Sequence, residues 1–204
     1  MYKKPIIVFE GIEGSGKSLH INNLSKYLKK KKLKFIKIRE PGGTLNSEKI
    51  RKLILNNKST FNNLTDLFLY FASRSENINT IIKKNKGKKI ILIDRFVDST
   101  LAYQHYGMGI NYNLINNINK FLLKNIKINF TFLNIVNNKN LSLRLSKRKR
   151  LNRYDKFKIN FYQKVQNGFI NISRKKKNKY LLINSNLNID LNKNIIIKKF
   201  NSLL

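Results

Sequence analysis

The chain has 204 residues, of which 41% are hydrophobic, and it contains no cysteine. The length predicts a single domain over 1–204 with a sizeable core, and the cysteine count excludes disulfides and thiolate metal sites. No apolar run approaches the roughly 20 residues that a membrane-spanning helix needs. The first strand begins close to the N-terminus, so we expect a cytoplasmic protein without a signal peptide.

The charge is the unusual property of this composition. Lys and Arg number 43 against 10 Asp and Glu, which gives a net charge of +33. Such a field attracts nucleic acids and anionic membranes. The lysines are scattered among many asparagines along the whole chain, which favours compositional drift of surface positions over a dedicated nucleic-acid function. We therefore expect no membrane partner and no specific nucleic acid, with some nonspecific binding of polyanions.

The first elements in chain order are a strand over 5–9, a glycine-rich loop and a helix over 17–30. The loop has the sequence G-I-E-G-S-G-K-S, which in this context is typical of a P-loop that binds a nucleoside triphosphate. Glycines allow backbone N–H groups to approach the phosphates, and the positive end of the helix dipole faces the same point. Lys17 can contact the β- and γ-phosphates, and the Ser18 hydroxyl can bind Mg²⁺. The predicted ATP site consists of Gly11, Ile12, Glu13, Gly14, Ser15, Gly16, Lys17 and Ser18.

Strands and helices alternate through the rest of the sequence. The apolar patterns predict strands over 35–39, 90–93, 129–135 and 180–184, and helices over 45–55, 64–84, 99–106, 112–123, 139–150, 156–176 and 191–203. This alternation predicts an α/β fold, a five-stranded parallel sheet with helices on both faces, of the P-loop NTPase type. Ligands bind at the carboxyl ends of the strands in such sheets.

Polar residues follow two further strands at the edge where the P-loop lies. Asp94 directly follows an apolar strand and is placed to hold Mg²⁺, although a loop cap would also use an aspartate there. Arg39 and Arg95 carry guanidinium groups that suit phosphate oxygens. Tyr70 and Arg74 share one helix face and could bind a base, but the helical spacing taken alone favours a core position for Tyr70.

The segment 143–155 is rich in basic residues. A basic helix is usually solvated, and the alternative is a mobile flap that brings an arginine to a transferring phosphate. His20 and His105 have no partner pattern, and His20 is expected to be exposed on the first helix. The basic residues of this segment are Arg144, Lys147, Arg148, Lys149, Arg150 and Arg153.

Three motifs follow one another along the chain: F-E-G-x-E-G-x-G-K-S over 9–18, R-E-P-G-G-T over 39–44, and D-R-x-x-x-S-x-x-A-Y-Q over 94–104. In order and spacing they resemble bacterial thymidylate kinase, of the subgroup with a basic lid, over essentially the whole chain. The resemblance implies transfer of the γ-phosphoryl group of ATP to dTMP, with Mg²⁺, giving dTDP as a step in dTTP synthesis. It also implies a homodimer.

The same resemblance implies roles for particular residues. Glu13 would contact the 3′-hydroxyl of dTMP, and Arg95 and Arg51 would bind its phosphate, while Arg39 would shape its loop. Tyr70 would stack on thymine, Ser73 and Arg74 would read its edge, Thr100 and Gln104 would complete the base pocket, and Tyr103 would exclude a ribose hydroxyl. Arg148 and Arg153, in a lid over about 142–155, would stabilise the transferring phosphate. The implied catalytic residues are Lys17, Glu13, Arg95, Arg148 and Arg153, and the implied metal ligands are Ser18 and Asp94.

The sequence departs from the family pattern at two informative positions. Tyr70 stands where phenylalanine is usual, and Asn134 stands where the fourth strand commonly ends in an acid. Two alternatives remain from the residues alone. One is a P-loop kinase for another small acceptor, and the other is a P-loop ATPase that binds nucleic acid through the strong positive charge.

Overall fold

The computed structural model describes residues 4–204. Its centre is a five-stranded sheet in the order β2-β3-β1-β4-β5, in which all neighbouring strands run parallel. The predicted five-stranded parallel sheet is therefore confirmed. The strands are β1 Ile6–Glu10, β2 Phe35–Arg39, β3 Ile90–Asp94, β4 Phe130–Ile135 and β5 Tyr180–Asn184. The continuous apolar sequences of β1 and β3 reflect their central positions, where helices cover both faces.

Helices connect the strands and cover both faces of the sheet. One face packs on α1 and α9 through Phe9, Leu24 and Phe200, and the other packs on the remaining helices. The helices are α1 Lys17–Lys30, α2 Leu45–Leu55, α3 Asn63–Asn77, α4 Lys83–Asn85, α5 Val97–Thr100, α6 Tyr112–Leu122, α7 Asn138–Ser146, α8 Ile159–Lys175 and α9 Ile189–Asn201. No helix within residues 4–204 combines the length and the apolar character that crossing a bilayer requires.

Two helices contain segments that a regular helical period does not predict. A π-helical segment, Ile78–Ile82, joins α3 to α4, so that the predicted helix over 64–84 is continuous but wider in its middle. A second π-helical segment, Leu101–Gly107, continues α5. This second segment carries Tyr103 and Gln104, and π-helical turns are frequent at functional sites.

The predicted basic helix over 139–150 is wrong in its last four residues, because α7 ends at Ser146. These four residues, Lys147–Arg150, are all basic. In a longer helix Arg144 would lie three and four positions from Lys147 and Arg148, where like charges repel one another and disfavour continuation. The chain then forms a short 3-10 turn, Arg153–Lys156, which is closed by a capping box between Asn152 and Asp155.

The expectation that His20 is exposed is also wrong. Its exposed fraction is only 2%. The imidazole lies beside the P-loop, where a Cβ added to Gly16 would be 3.9 Å from it. Burial, with a smaller contribution from Arg144, lowers the pKa of His20 and favours the neutral ring.

Glu10, the last residue of β1, fixes the turn that follows β3. Its buried carboxylate accepts hydrogen bonds from the backbone N–H of Phe96 at 2.8 Å and from the backbone N–H and the hydroxyl of Ser99 at 3.2 and 2.5 Å. Arg95, which lies between the end of β3 and Phe96, has a left-handed backbone with φ 65°. Burial, and then the charge of Asp98, raise the pKa of Glu10 from 4.5 to about 7.

The raised pKa predicts a pH-dependent contribution of Glu10 to stability. The contribution is fully present below about pH 4.5, where the carboxyl is protonated in both the folded and the unfolded chain. It is lost as the pH rises to about 7, because the folded chain must then hold a buried carboxylate. Glu10→Gln keeps the shape and removes the ionisation. Its stability relative to the wild type should therefore rise by up to about 3 kcal/mol between pH 4.5 and 7.

Urea unfolding of both proteins at several pH values measures this difference. The two stability curves should converge toward low pH and separate toward neutral pH. A difference that stays constant over this range would mean that Glu10 does not titrate as described.

Candidate active site

A cavity of about 540 Å³ opens at the carboxyl ends of β1, β2 and β3. Its wall combines the P-loop, the loop after β2, the turn after β3, helix α3, the π-helical segment after α5, and the lid. The structure thus brings together most of the residues that the sequence singles out. Those that line the cavity are Glu13, Lys17, Ser18, Arg39, Arg51, Tyr70, Arg74, Asp94, Arg95, Thr100, Tyr103, Gln104 and Arg148.

The P-loop has the backbone that its glycines predict. Gly11, Gly14 and Gly16 have φ values of 139°, 66° and 85°. A Cβ on Gly11 would lie 2.3 Å from the carbonyl oxygen of Asn134, so a larger residue would force β1 and β4 apart at their ends. Helix α1 begins immediately afterwards, at Lys17, where the first N–H groups have no acceptor within the helix.

Lys17 folds back over this loop. Its Nζ donates to the carbonyl oxygen of Ile12 at 2.7 Å and contacts the hydroxyl of Ser15 at 3.4 Å. Burial, followed by the charge of Arg95, lowers the pKa of Lys17 from 10.5 to about 7. Anionic phosphates at this point would favour the charged ammonium and so raise that pKa again.

Ser18 and Asp94 form a pair of oxygen ligands at the edge of the loop. The hydroxyl of Ser18 donates to Oδ2 of Asp94 at 3.0 Å. Hydroxyl and carboxylate oxygens are the ligands that Mg²⁺ prefers, together with water and substrate phosphates. No cluster of three or more His, Cys, Asp or Glu side chains suited to a metal occurs within residues 4–204. The chemistry of the Ser18–Asp94 pair fits a Mg²⁺ that is bound partly by a nucleotide.

Glu13, Arg95 and Tyr103 form a connected cluster on the other side of the P-loop. Arg95 Nη2 binds Glu13 Oε1 at 2.8 Å, and its Nη1 donates to the carbonyl oxygen of Gly11 at 2.9 Å. The Tyr103 hydroxyl donates to the second oxygen of Glu13, and its ring lies 5.1 Å from the guanidinium carbon of Arg95. Burial is the main cause of the raised pKa of Tyr103, so its hydroxyl remains a donor.

Arg74 is the most heavily bonded side chain in the cavity wall. Only 1% of it is exposed, and it donates to Glu40 at 2.8 Å, Asn119 at 2.9 Å, the carbonyl oxygen of Phe96 at 3.0 Å and Thr100 at 2.8 Å. A guanidinium has five N–H donors, so four bonds to the protein leave one. Burial raises the pKa of Glu40, and the charge of Arg74 opposes this effect.

Gln104 lies in the same wall and has an unsatisfied donor. Its Nε2 is buried and has no hydrogen-bond partner within the described part of the chain. A buried amide without a partner costs free energy. A ligand with an acceptor at this point would remove that cost, so Gln104 marks the polar part of a binding pocket.

Tyr70 faces the cavity from α3. Its ring packs edge-on against Tyr154 of the lid, with centroids 6.0 Å apart and planes at 87°. Burial raises the pKa of Tyr70 to about 12, so it stays neutral. This aromatic pair leaves Tyr70 in the wall between α3 and the lid instead of inside the core.

Several predicted site residues do not reach the cavity wall. Gly11, Ile12, Gly14, Ser15 and Gly16 form the loop behind Glu13, Lys17 and Ser18. Ser73 is buried and accepts the backbone N–H of Gly42 at 3.2 Å, which supports the loop after β2. Arg153 donates to the carbonyl oxygen of Ile54 at 2.5 Å and forms an ion pair with Asp66.

The two lid arginines are therefore held differently. Arg148 lines the cavity and pairs with Asp155 within the lid. Arg153 instead anchors the lid on α2 and α3, where Tyr154 also donates to Asp66 at 3.2 Å. Asp66 is buried, with 3% exposed, and it was not recognised in the sequence because only the folded lid supplies its partners.

Arg144 was likewise not assigned a role from the sequence. It donates to the carbonyl oxygens of Gly14 at 2.8 Å and Ser185 at 2.6 Å. Ser185 in turn donates to the carbonyl oxygen of Ser15 at 2.6 Å. These bonds tie the P-loop to α7 and to the end of β5. The basic character of the 143–155 segment was visible, but the individual partners were not.

The loop after β2 is shaped by two further arginines. Arg39 pairs with Glu48 at 3.0 Å, and Glu48 also accepts the backbone N–H of Gly43 at 2.9 Å. Arg51, from α2, donates to the carbonyl oxygen of Pro41 at 2.7 Å and reaches the cavity wall. Both arginines thus line the cavity, and Arg39 also stabilises the loop through Glu48.

Comparisons of the sequence with a family model and with individual known proteins identify the same family. The sequence model of the thymidylate kinase family matches residues 9–196. A thymidylate kinase from Thermosipho africanus is 39% identical over 185 residues, which cover 90% of this chain and 91% of that protein. A thymidylate kinase from a Sulfurihydrogenibium species is 38% identical over 185 residues, which cover 90% of each chain.

The fold comparison agrees with the sequence comparison. The crystal structure of thymidylate kinase from Ehrlichia chaffeensis superimposes with a TM-score of 0.79 at 31% identity, covering 98% of this chain and 99% of that one. The family match extends over most of the sequence, and the relatives match over nearly their full length. The chain belongs to the thymidylate kinase family.

Proposed function

We propose that the protein transfers the γ-phosphoryl group of ATP to dTMP, giving dTDP and ADP. The observation that carries this proposal is the shared cavity at the carboxyl ends of β1, β2 and β3. One wall holds Lys17 of the P-loop, another holds Arg51 and Arg95, and a third holds Arg74 and Gln104. Phosphate-binding cations and base-reading groups thus face one space large enough for a nucleotide.

The cationic side chains of the cavity would neutralise the negative charge that shifts between the phosphates during the transfer. A phosphate oxygen of dTMP attacks the γ-phosphorus as the bond to the β-phosphate oxygen of ATP breaks, and ADP leaves with the electron pair. Phosphoryl transfer depends mainly on positioning and on neutralising this charge. Lys17 would hold the β- and γ-phosphates, and Arg95 and Arg51 would hold the acceptor phosphate. Arg148 would reach the transferring group from the lid.

Ser18 and Asp94 are the side chains proposed to hold Mg²⁺, directly or through water. When bound, Mg²⁺ would neutralise charge on the β- and γ-phosphates. The 3.0 Å hydrogen bond between the two side chains keeps both oxygens at the end of the P-loop. The remaining ligands would come from phosphate oxygens and water.

The base and the sugar would be read by the opposite wall. Glu13 accepts bonds from Arg95 and Tyr103 and would contact the 3′-hydroxyl, while the Tyr103 ring would leave no space for a ribose 2′-hydroxyl. The unpaired Nε2 of Gln104 and the remaining N–H of Arg74 are donors for thymine oxygens. Tyr70 would stack on the base. Ser73 would act only through the loop that it supports.

The proposal also covers the domain organisation, the quaternary structure and the location of the protein. We expect residues 1–204 to work as one kinase domain with a lid over about 142–155. A homodimer would bury the apolar side chains of α3 that remain exposed, among them Leu64 at 45% and Phe68 at 50%. Because ATP and dTMP are cytoplasmic metabolites, we expect the enzyme to act in the cytoplasm.

The acceptor preference is the most direct test of the proposed reaction. Phosphorylation should be strong with dTMP, weaker with dUMP, which lacks the 5-methyl group, and slight with ribothymidine monophosphate, whose 2′-hydroxyl would meet Tyr103. The measurement is nucleoside diphosphate formation from ATP, followed by chromatography. Equal rates with AMP or GMP would refute the assignment.

Lys17→Ala tests the P-loop. The change removes a charged donor to the transferring phosphate, and kcat should fall at least roughly 100-fold. Lys52→Ala is the matched control, because Lys52 is exposed on α2 and does not line the cavity. Near-normal turnover of Lys17→Ala would contradict the role given to Lys17.

The two lid arginines should respond differently to removal. Arg148→Ala should lower kcat at least about 10-fold, because it removes a cation from the cavity wall. Arg153→Ala should instead lower stability by about 2 kcal/mol, because it leaves the buried carboxylate of Asp66 without its ion pair. Steady-state kinetics and thermal unfolding of both variants separate these effects. The reverse pattern, with Arg153 dominating kcat and Arg148 dominating stability, would show that the lid works in another geometry.

A further inference from the structure

The edge of the sheet opposite the cavity carries a concentrated positive charge. All five strands run parallel, so their amino ends meet at this edge. Four lysine-rich segments lead into β2, β3, β4 and β5, and we call them together the amino-end face. The segments are 29–34, 83–89, 124–127 and 174–179.

The charge of the amino-end face is of one sign. The four segments contain five, five, two and five Lys or Arg residues, and none of the chain's 10 acidic residues. The acidic residues lie instead at or after the carboxyl ends of strands, on α2 and α3, in the lid and at the start of α9. Within residues 4–204, this face makes one ion pair, between Lys176 and the buried Asp98.

Hydrogen bonds join the first three of these segments, and the fourth leads into β5, which pairs with β4. The backbone N–H of Ile90 donates to the carbonyl oxygen of Lys34 at 3.0 Å, and that of Ile91 donates to Pro5 at 3.0 Å. Lys86 donates to the carbonyl oxygen of Asn125, which joins the second segment to the third. The lysines of 29–34, 83–89 and 124–127 therefore lie side by side, although they are far apart in the sequence, and those of 174–179 extend this surface beyond β4.

The dimensions of the amino-end face suit a nucleic-acid duplex. Neighbouring strands lie about 4.8 Å apart, so β2 to β5 span about 19 Å. A DNA duplex carries one negative charge per about 1.7 Å of its axis, which gives about 11 phosphates over that width. Most of the lysines are exposed, and asparagines such as Asn125 and Asn178 lie between them as neutral donors to phosphate and sugar oxygens.

The chemistry of the face distinguishes a duplex from other polyanions. Single-strand binders rely on exposed aromatic platforms, and membrane binding through charge alone usually needs a second, apolar anchor. Within residues 4–204, Phe121, just before the third segment, is the one exposed aromatic side chain beside this face. Lysines and asparagines with a single exposed ring beside them match the phosphate backbone of a duplex better than bases or lipid chains.

We propose that the amino-end face binds the phosphate backbone of duplex nucleic acid without sequence preference. The surface lies at the opposite edge of the sheet from the cavity, so the binding and the proposed kinase reaction are separate properties of the chain. Mutual repulsion among the lysines destabilises the folded protein, and a bound polyanion relieves that repulsion. The duplex should therefore also raise the melting temperature at low salt.

Two variants with equal loss of charge test the proposal. The face variant changes five exposed lysines of the amino-end face to Gln: Lys31, Lys34, Lys88, Lys127 and Lys179. The control variant changes five exposed lysines elsewhere to Gln: Lys49, Lys52, Lys58, Lys139 and Lys164. The probe is a fluorescent 20-base-pair DNA duplex of arbitrary sequence, and anisotropy titrations are run between 50 and 200 mM KCl.

The face variant should bind at least about 30-fold more weakly than the wild type at 100 mM KCl, and the slope of log K against log salt should fall by about 4. The control variant should stay within about 3-fold of the wild type. Kinase activity of both variants without DNA should be unchanged, which verifies folding independently of duplex binding. The duplex should raise the melting temperature of the control variant but not of the face variant.

Three results would overturn the proposal. The first is an equal loss of affinity in both variants, which would mean that only the net charge matters. The second is a wild-type protein that does not bind the duplex at 100 mM KCl. The third is co-sedimentation with phosphatidylserine vesicles that excess duplex does not reverse, which would assign the face to membranes.

Discussion

The ion pair between Arg95 and Glu13 is the contact on which the cavity depends. It joins the P-loop after β1 to the turn after β3, and Tyr103 adds the π-helical segment through the second oxygen of Glu13. Arg95 adopts its left-handed backbone because Glu10 holds the N–H groups of Phe96 and Ser99 behind it. Glu10 and Glu13, which are three positions apart, thus fix the backbone and the side chain of Arg95, respectively.

Bonds to protein atoms hold several side chains of the cavity wall in place. Arg74 makes four bonds to protein atoms, and Arg51 is held by the carbonyl oxygen of Pro41. Side chains fixed in this way lose little further rotamer freedom when a ligand binds. Nε2 of Gln104, by contrast, has no partner within the described residues and, in the proposed reaction, would donate to the base. The proposal thus gives Arg51 and Arg74 fixed positions and leaves Gln104 free to bind the ligand.

The sequence predicts the parts of this structure that depend on local pattern. The P-loop, the apolar strands and their alternation with helices follow from glycine spacing and from β-branched runs, which need no knowledge of distant contacts. The ends of α1, α2 and β5 agree with the structure for the same reason. Local pattern also identified the P-loop residues, Asp94 and Arg95, because they follow strands that end at one edge, whereas Thr100, Tyr103 and Gln104 were identified only by resemblance to a known family.

The remainder depends on contacts between segments far apart in sequence. Asp66 binds Arg153 across 87 positions, and Arg144 binds Gly14 across 130. The burial of His20 requires the P-loop and Ser185 to close over one face of α1, although the residue itself looks like a polar position on a surface helix. The early end of α7 also depends on where the lid docks, since the capping box at Asn152 starts a new turn there.

The positions of the acidic residues explain how a charge of +33 is compatible with a precise site. Each of the 10 has a hydrogen-bond or ion-pair partner, from Glu10 with Ser99 to Asp190 with Lys193. Each carboxylate thus lies beside a hydrogen-bond donor or a cation. Lysine and asparagine occupy many of the surface positions that make few contacts with other side chains. Drift in surface composition accounts for the number of lysines. It does not cancel their effect, because charges that accumulate at one edge of a parallel sheet produce a directed field whatever their origin.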